Sequence, residues 1–117
     1  MRKPDSGSDP ISKAYILLWD KPEPPSEEEA EAKLHQEGYE CFRWHDVPGS
    51  EYPKHRHDKD ECLWILKGEI SLTIQGETFD LKPGDRLYLP SHLPHSAQVP
   101  KAKGVTYLVG QKLSCLK

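Results

Sequence analysis

Between Gly49 and Gly68 the sequence reads GSEYPKHRHDKDECLWILKG, and within it His55 and His57 stand two residues apart and just ahead of Glu61. If this segment is strand, side-chain alternation puts His55 and His57 on one face and Lys54 and Arg56 on the other. Lys and Arg are the side chains that belong in water, so the histidines point inward. The polar residues 58–60 let the chain turn, and Glu61 then opens the next strand facing the same interior, where a carboxylate is costly unless something pairs with it. Further on, HSAQV places His95, Ala97 and Val99 on one face and Ser96 and Gln98 on the other. Three neutral imidazoles and one carboxylate are a donor set that borderline divalent metals favour, and they leave coordination positions for water or substrate. His55, His57, Glu61 and His95 are therefore the candidate ligands of one divalent transition metal ion. Imidazole and carboxylate accept Fe, Mn, Ni or Zn alike, so the sequence leaves the metal open.

The elements that must hold these residues are short. From Tyr39 onward, turn signals recur every eight to twelve residues (PGS, HDKD, KG, QGE, KPGD, PSHLP, KAKG), which predicts an antiparallel sandwich or barrel. In EISLTI the apolar Ile70, Leu72 and Ile74 alternate with Glu69, Ser71 and Thr73, so one face is buried and the other wet, and QGE closes a hairpin onto TFDL. ECLWIL is apolar on both faces and reads as a central strand. If Glu61, Leu63 and Ile65 face the interior, Cys62, Trp64 and Leu66 need a second sheet or a second subunit over them. Trp64 is too large to hide easily in so small a chain, so a homodimer through the outer sheet face is expected.

Ahead of the strands, residues 1–10 are polar and aperiodic and read as a loose tail. KAYILLW has strand character, and DKPEPP breaks it. A helix follows: Ser26 with Glu29 forms a capping-box signature, three glutamates load its positive end, and Gly38 supplies the stop. Only Ala30 and Leu34 offer an apolar contact, so this helix is a peripheral cover. The organisation expected is a tail over 1–10, an N-terminal strand and covering helix over 11–38, and a β-barrel over 39–117, all within one domain.

At 117 residues the chain suits a single core. Its net charge of −3 and pI near 6.1, with Lys and Arg scattered singly, provide no basic stripe for a phosphate backbone, so nucleic acid is not an expected partner. No apolar run approaches the roughly 20 residues of a helical membrane span, and the mean hydropathy is −0.78. Cys41, Cys62 and Cys115 form no C-x-x-C pair, and no apolar signal segment opens the chain. A reduced, cytoplasmic setting with no membrane association is the expectation.

The run G-x5-H-x-H-x3-E-x6-G from Gly49 to Gly68 resembles the first motif of the cupin superfamily with every spacing kept. Gly84, Pro90 and the HLPH turn to His95 are similar to its second motif, at a separation common among small members. The two motifs cover residues 49 to 99, and the surrounding strands extend the likeness to about 39 to 110. LHQEGYECFRWHDVPGSEYPKHRH and GVTYLVG are also similar to small stand-alone bacterial cupins of unassigned function. The resemblance implies an all-β fold, a jelly-roll β-barrel of six to eight strands with a short N-terminal helix and N-terminal strand added. It makes His55, His57, Glu61 and His95 the metal ligands and sets Gly68 and Gly84 at tight turns. Two positions depart from the pattern: His92 stands where the family often has glycine, and Val99 where it often has asparagine.

The same resemblance leaves two functions open, because fold does not decide among them. One is a mononuclear metal enzyme acting on a small organic molecule, a dioxygenase or a related lyase or isomerase. The alternative is a non-catalytic, metal-anchored binding or sensing module. An enzyme needs a proton shuttle or charge stabiliser near the metal. Candidates are His92 at the rim, with Tyr52 and Arg43 on strands beside the first motif, and behind them Arg86 and Tyr88, which share a face. His45 and His35 have no place in the ligand pattern, and Cys62, facing away from Glu61, reads as a small buried hydrophobe.

Overall fold

A computed structural model describes residues 13–112. The tail expected over 1–10 and Cys115 lie outside the described residues. Nine strands and one helix follow in the order β1 (Tyr15–Leu17), α1 (Glu27–Gln36), β2 (Tyr39–Asp46), β3 (Glu51–His55), β4 (Glu61–Lys67), β5 (Ile70–Ile74), β6 (Glu77–Leu81), β7 (Arg86–Leu89), β8 (His95–Gln98) and β9 (Val105–Lys112). They form two antiparallel sheets, one of five strands in the order β1-β7-β4-β9-β2 and one of four in the order β3-β8-β5-β6. Eight strands, β2 to β9, make the jelly roll, and β1 adds itself to the free edge of β7.

The local reasons are those the sequence offers. Ile70, Leu72 and Ile74 of β5 are buried while Ser71 and Thr73 face outward, where Ser71 Oγ donates to Asp80 and Thr73 meets Thr78 across the β5–β6 hairpin. These three, with Leu63, Ile65 and Leu87, pack between the sheets as the main core. Gly68 has φ +82°, and a Cβ there would sit 2.1 Å from the Gly104 carbonyl oxygen, so two backbone segments meet where only glycine fits. Gly84, at φ +95°, is closed in the same way by the Trp19 ring.

A second apolar cluster lies outside the five-stranded sheet. Ser26 Oγ accepts the Glu29 N–H at 3.0 Å to start α1, and Ala30 and Leu34 are fully buried against Tyr39, Cys62, Trp64 and Leu108. Trp64 is only 5% exposed. Its Nε1 donates to the Gly84 carbonyl, the Arg86 guanidinium stacks on its ring at 4.1 Å, and Trp19 packs edge-on. The cover that ECLWIL demands thus comes from the N-terminal strap and helix of the same chain, which removes the sequence argument for a second subunit on this face. Glu37, at the end of α1, is tied to Arg86 by a 2.7 Å ion pair, and its carbonyl accepts from Lys112 Nζ at 2.6 Å.

Candidate metal centre

Strands β3 and β8 pair so that His55 lies directly opposite His95. His57 follows two residues beyond the end of β3, and its backbone carbonyl accepts the His92 N–H at 2.6 Å, which holds that end of the loop. The three imidazole rings stand with centroids 4.8 Å (His55–His57), 4.4 Å (His55–His95) and 5.2 Å (His57–His95) apart, and one nitrogen from each lies within 4.8 Å of the others. His55 Nδ1 lies 2.7 Å from the Pro53 carbonyl oxygen and His95 Nδ1 2.9 Å from that of Leu93. A carbonyl only accepts, so both Nδ1 atoms donate, which leaves Nε2 as the atom through which each imidazole would bind a metal. His95 is 5% exposed. Burial pushes its pKa below the ordinary histidine value, against the pull of the Leu93 carbonyl, and the neighbouring His55 and His57 add to the lowering. The donor set therefore fits a divalent transition metal.

Glu61 opens β4 and is 4% exposed. Its Oε1 is 3.6 Å from His57 Nε2, so the carboxylate lies against one imidazole, but the group whose donor atoms all come within 4.8 Å of one another is the three histidines without Glu61. Its Oε2 accepts a 2.8 Å hydrogen bond from Gln111, which sits opposite it in the β4–β9 register. Beside the cluster lies a cavity of about 260 Å³, walled by Leu63, Ile70, Leu72, Ala97 and Val109, with Tyr52, Tyr107, Gln111 and the half-exposed Phe42 and Trp44 completing it.

The remaining candidates divide. Tyr52 lines the cavity. Strict alternation would set it on the face opposite His55, but the β3–β8 register shifts between Tyr52 and His55, and this irregularity around Pro53 brings both rings to the same space. Its hydroxyl donates to Asp46, as does that of Tyr107 at 2.8 Å, and Trp44 Nε1 approaches the same carboxylate at 3.0 Å. Burial, then Asp46, raises both phenols. Arg43 lies on the other face of β2, exposed, and pairs with Glu27 of α1 at 3.2 Å. His92 is exposed in its turn with φ +67° and reaches the site only through its backbone N–H. Arg86 and Tyr88 belong to the outer cluster with Glu37. His45 pairs with Thr106, His35 is exposed on α1, and Cys62 is buried beneath the helix, its thiol pushed up to about 12 by desolvation. Sequence reasoning missed Asp46, which gathers the nearby Trp44 and Tyr52 with the distant Tyr107, and Gln111, whose partner Glu61 lies far away in the chain.

Comparison with known proteins bears on the fold and the family. A family model described as "Cupin domain" matches residues 42–109. An uncharacterized protein of Methanocaldococcus jannaschii is 35% identical over 51 residues, 43% of this chain and 41% of that protein, so the match spans well under half of this curated relative. A cupin superfamily protein from Desulfitobacterium hafniense superposes with a TM-score of 0.58 at 16% identity over 88% of this chain and 80% of its own. A cupin protein from Bacteroides fragilis does so with 0.57 at 22% identity over 100% and 91%. A structure described as DMSP lyases gives 0.60 at 20% identity over 67% and 40%. Likeness at these identities speaks for the fold.

Proposed function

The chain belongs to the cupin domain family, and on that premise we propose that His55, His57 and His95, with Glu61 as a fourth donor, hold one divalent transition metal ion and present it to a small organic molecule in the cavity. The observation that carries this is the convergence of three imidazoles, two of them with Nε2 left free by backbone acceptors, on an open cavity rather than on a packed core. When bound, such an ion supplies Lewis acidity toward a substrate oxygen and, if redox-active, electron transfer. The chain's own residues do the rest. Glu61 offsets part of the ion's charge, Gln111 orients Glu61, and the apolar wall limits water, which strengthens every electrostatic contact inside.

The reading favoured is a mononuclear metal-dependent enzyme, dioxygenase-like or a related lyase or isomerase. One observation favours the alternative of a non-catalytic binding module: both cavity tyrosine hydroxyls are committed to Asp46, so outside the ligand set the cavity offers no side chain poised to move a proton. Elemental analysis of the purified chain, followed by chelation and reloading with Fe(II), Mn(II), Ni(II) or Zn(II) under thermal denaturation, tests the site. Loading at 100 to 1,000 times Kd should add about 2.7 to 4.1 kcal/mol of stability. Absence of both metal uptake and any thermal shift refutes the proposal. Turnover, including O2 consumption, in a screen of small acids and enols selects the enzyme, and tight binding without turnover selects the module.

A further inference from the structure

Resting on the metal-anchored reading above, we infer that the ligand is a small monoanion with an apolar, ring-sized body, and that phosphorylated and polyhydroxylated metabolites are excluded. Three features of the cavity carry this. The first is charge: the described lining residues include no lysine and no arginine, so the only cation available to a ligand is the metal itself. A divalent ion against Glu61, the one carboxylate among the described lining residues, leaves at most one net positive charge, which the Asp46 carboxylate behind Tyr52 and Tyr107 reduces further, so one anionic head group is accommodated and a phosphate that carries more is not balanced. Phosphate sites are built from arginine forks, lysines or runs of backbone N–H groups, and this wall has none of those side chains.

The second feature is polarity. Away from the metal cluster the polar side chains of the wall are already engaged, Tyr52 and Tyr107 with Asp46 and Gln111 with Glu61. A sugar-like body would bury hydroxyl groups against Leu63, Ile70, Leu72, Ala97 and Val109 without partners, and buried unpaired polar groups oppose binding. The third is size. A cavity of roughly 150 Å³ holds benzene, so on the same measure 260 Å³ suits a body of about ten non-hydrogen atoms, one ring with a short acidic arm. Phe42 and Trp44, 45% and 49% exposed although both line the cavity, supply the aromatic surface against which such a ring would lose its water.

The test uses the full chain loaded with Zn(II), its metal content verified, and isothermal titration with phenylacetate, acetate and 2-phosphoglycolate. Phenylacetate should bind about tenfold or more tightly than acetate, the increment expected for burying a phenyl group, and phosphoglycolate no more tightly than acetate. Phe42→Ala should shrink the ratio of phenylacetate to acetate affinity severalfold at unchanged metal content. Equal affinity for acetate and phenylacetate, or tighter binding of phosphoglycolate, in metal-loaded protein overturns this inference and leaves the metal site standing. A chain that takes up no metal overturns both.

Discussion

Replacing Gln111 by Leu tests whether the hydrogen bond behind Glu61 shapes the metal site. The substitution approximately keeps side-chain volume and removes one donor, the Nε2–H that meets Glu61 Oε2 at 2.8 Å. The acceptor is a carboxylate 4% exposed, so water cannot easily take the donor's place. Hydrogen bonds to charged groups contribute about 1.5 to 3 kcal/mol, and that is the stability the metal-free variant should lose. Groups that orient a ligand commonly account for 10- to 100-fold in metal affinity, about 1.4 to 2.7 kcal/mol, and the loaded variant should show that weakening in addition. Gln111→Glu separates geometry from charge. It sets a second carboxylate against Glu61, which should destabilise the metal-free protein at neutral pH, while a bound cation relieves the repulsion, so its metal affinity should match or exceed wild type. Urea unfolding in chelator reads the first quantity, and competition with a chromophoric chelator reads the second. Gln111→Leu within 0.5 kcal/mol in stability and twofold in affinity would refute the role given to this bond. Gln111→Glu binding metal more weakly than Gln111→Leu would refute the electrostatic argument.

The two histidines of HLPH should part company: His95→Ala is expected to lose most of the bound metal, while His92→Ala, whose ring is exposed and whose backbone N–H persists, keeps it, as elemental analysis would show. Loss of metal from His92→Ala with retention in His95→Ala would place the site on the wrong imidazole. On the outer face, Glu37→Ala strands the buried Arg86 guanidinium and should cost about 2 to 3 kcal/mol in urea unfolding, below the 3 to 5 typical of fully buried pairs because Glu37 is partly exposed, whereas Arg86→Met should cost less. The reverse order would contradict the asymmetry. Alkaline pH should destabilise the fold: Cys62 has its pKa raised from 9.0 to about 12, and buried Tyr39, Tyr88 and Tyr107 are raised as well, so their contribution is complete below about pH 9 and is lost as pH rises. Each group adds up to about 1.4 kcal/mol per pH unit between its unfolded and folded pKa. A stability that stays flat from pH 8 to 11 would count against this. On the acid side His95 has the opposite pH dependence, its lowered pKa removing stability from the metal-free protein as pH falls below about 6.5.

Much of the candidate site was legible because a strand's period of two is a strong constraint. Lys54 and Arg56 had to face water, which sent His55 and His57 inward, and the apolar partners of His95 did the same for β8. The capped helix and the β5–β6 hairpin were readable from local chemistry alone. Tyr52, named as a candidate from its place beside the first motif, does line the cavity, but by way of a register shift between Tyr52 and His55 that no periodic pattern announces. Asp46 and Gln111 escaped notice for a different reason: each is an ordinary polar residue near a strand end, and it takes the pairing of β9 with β2 and β4 to bring Tyr107 to Asp46 and Glu61 to Gln111. Arg43 was misjudged as a neighbour of the site because nothing in the sequence says which face of β2 looks into the barrel, and Trp64 because a covering helix with only Ala30 and Leu34 as contacts looks too slight to hide an indole.

The donor histidines sit in the four-stranded sheet or just beyond β3, while Phe42 and Trp44 stand on β2, the edge of the opposite sheet. A half-exposed side chain on an edge strand, as Phe42 is, can be exchanged at small cost to folding, whereas Trp44 also donates to the buried Asp46 carboxylate and is exchanged less freely. Two parts of one pocket are thus separable by mutation: the imidazole cluster rests on buried His95 and on the backbone carbonyls that hold the His55 and His95 rings, and part of the wall that would select an organic partner is an exposed edge. Descendants of such a chain could change what the cavity admits without dismantling the histidine cluster, and a directed-evolution library centred on position 42 would sample that freedom directly.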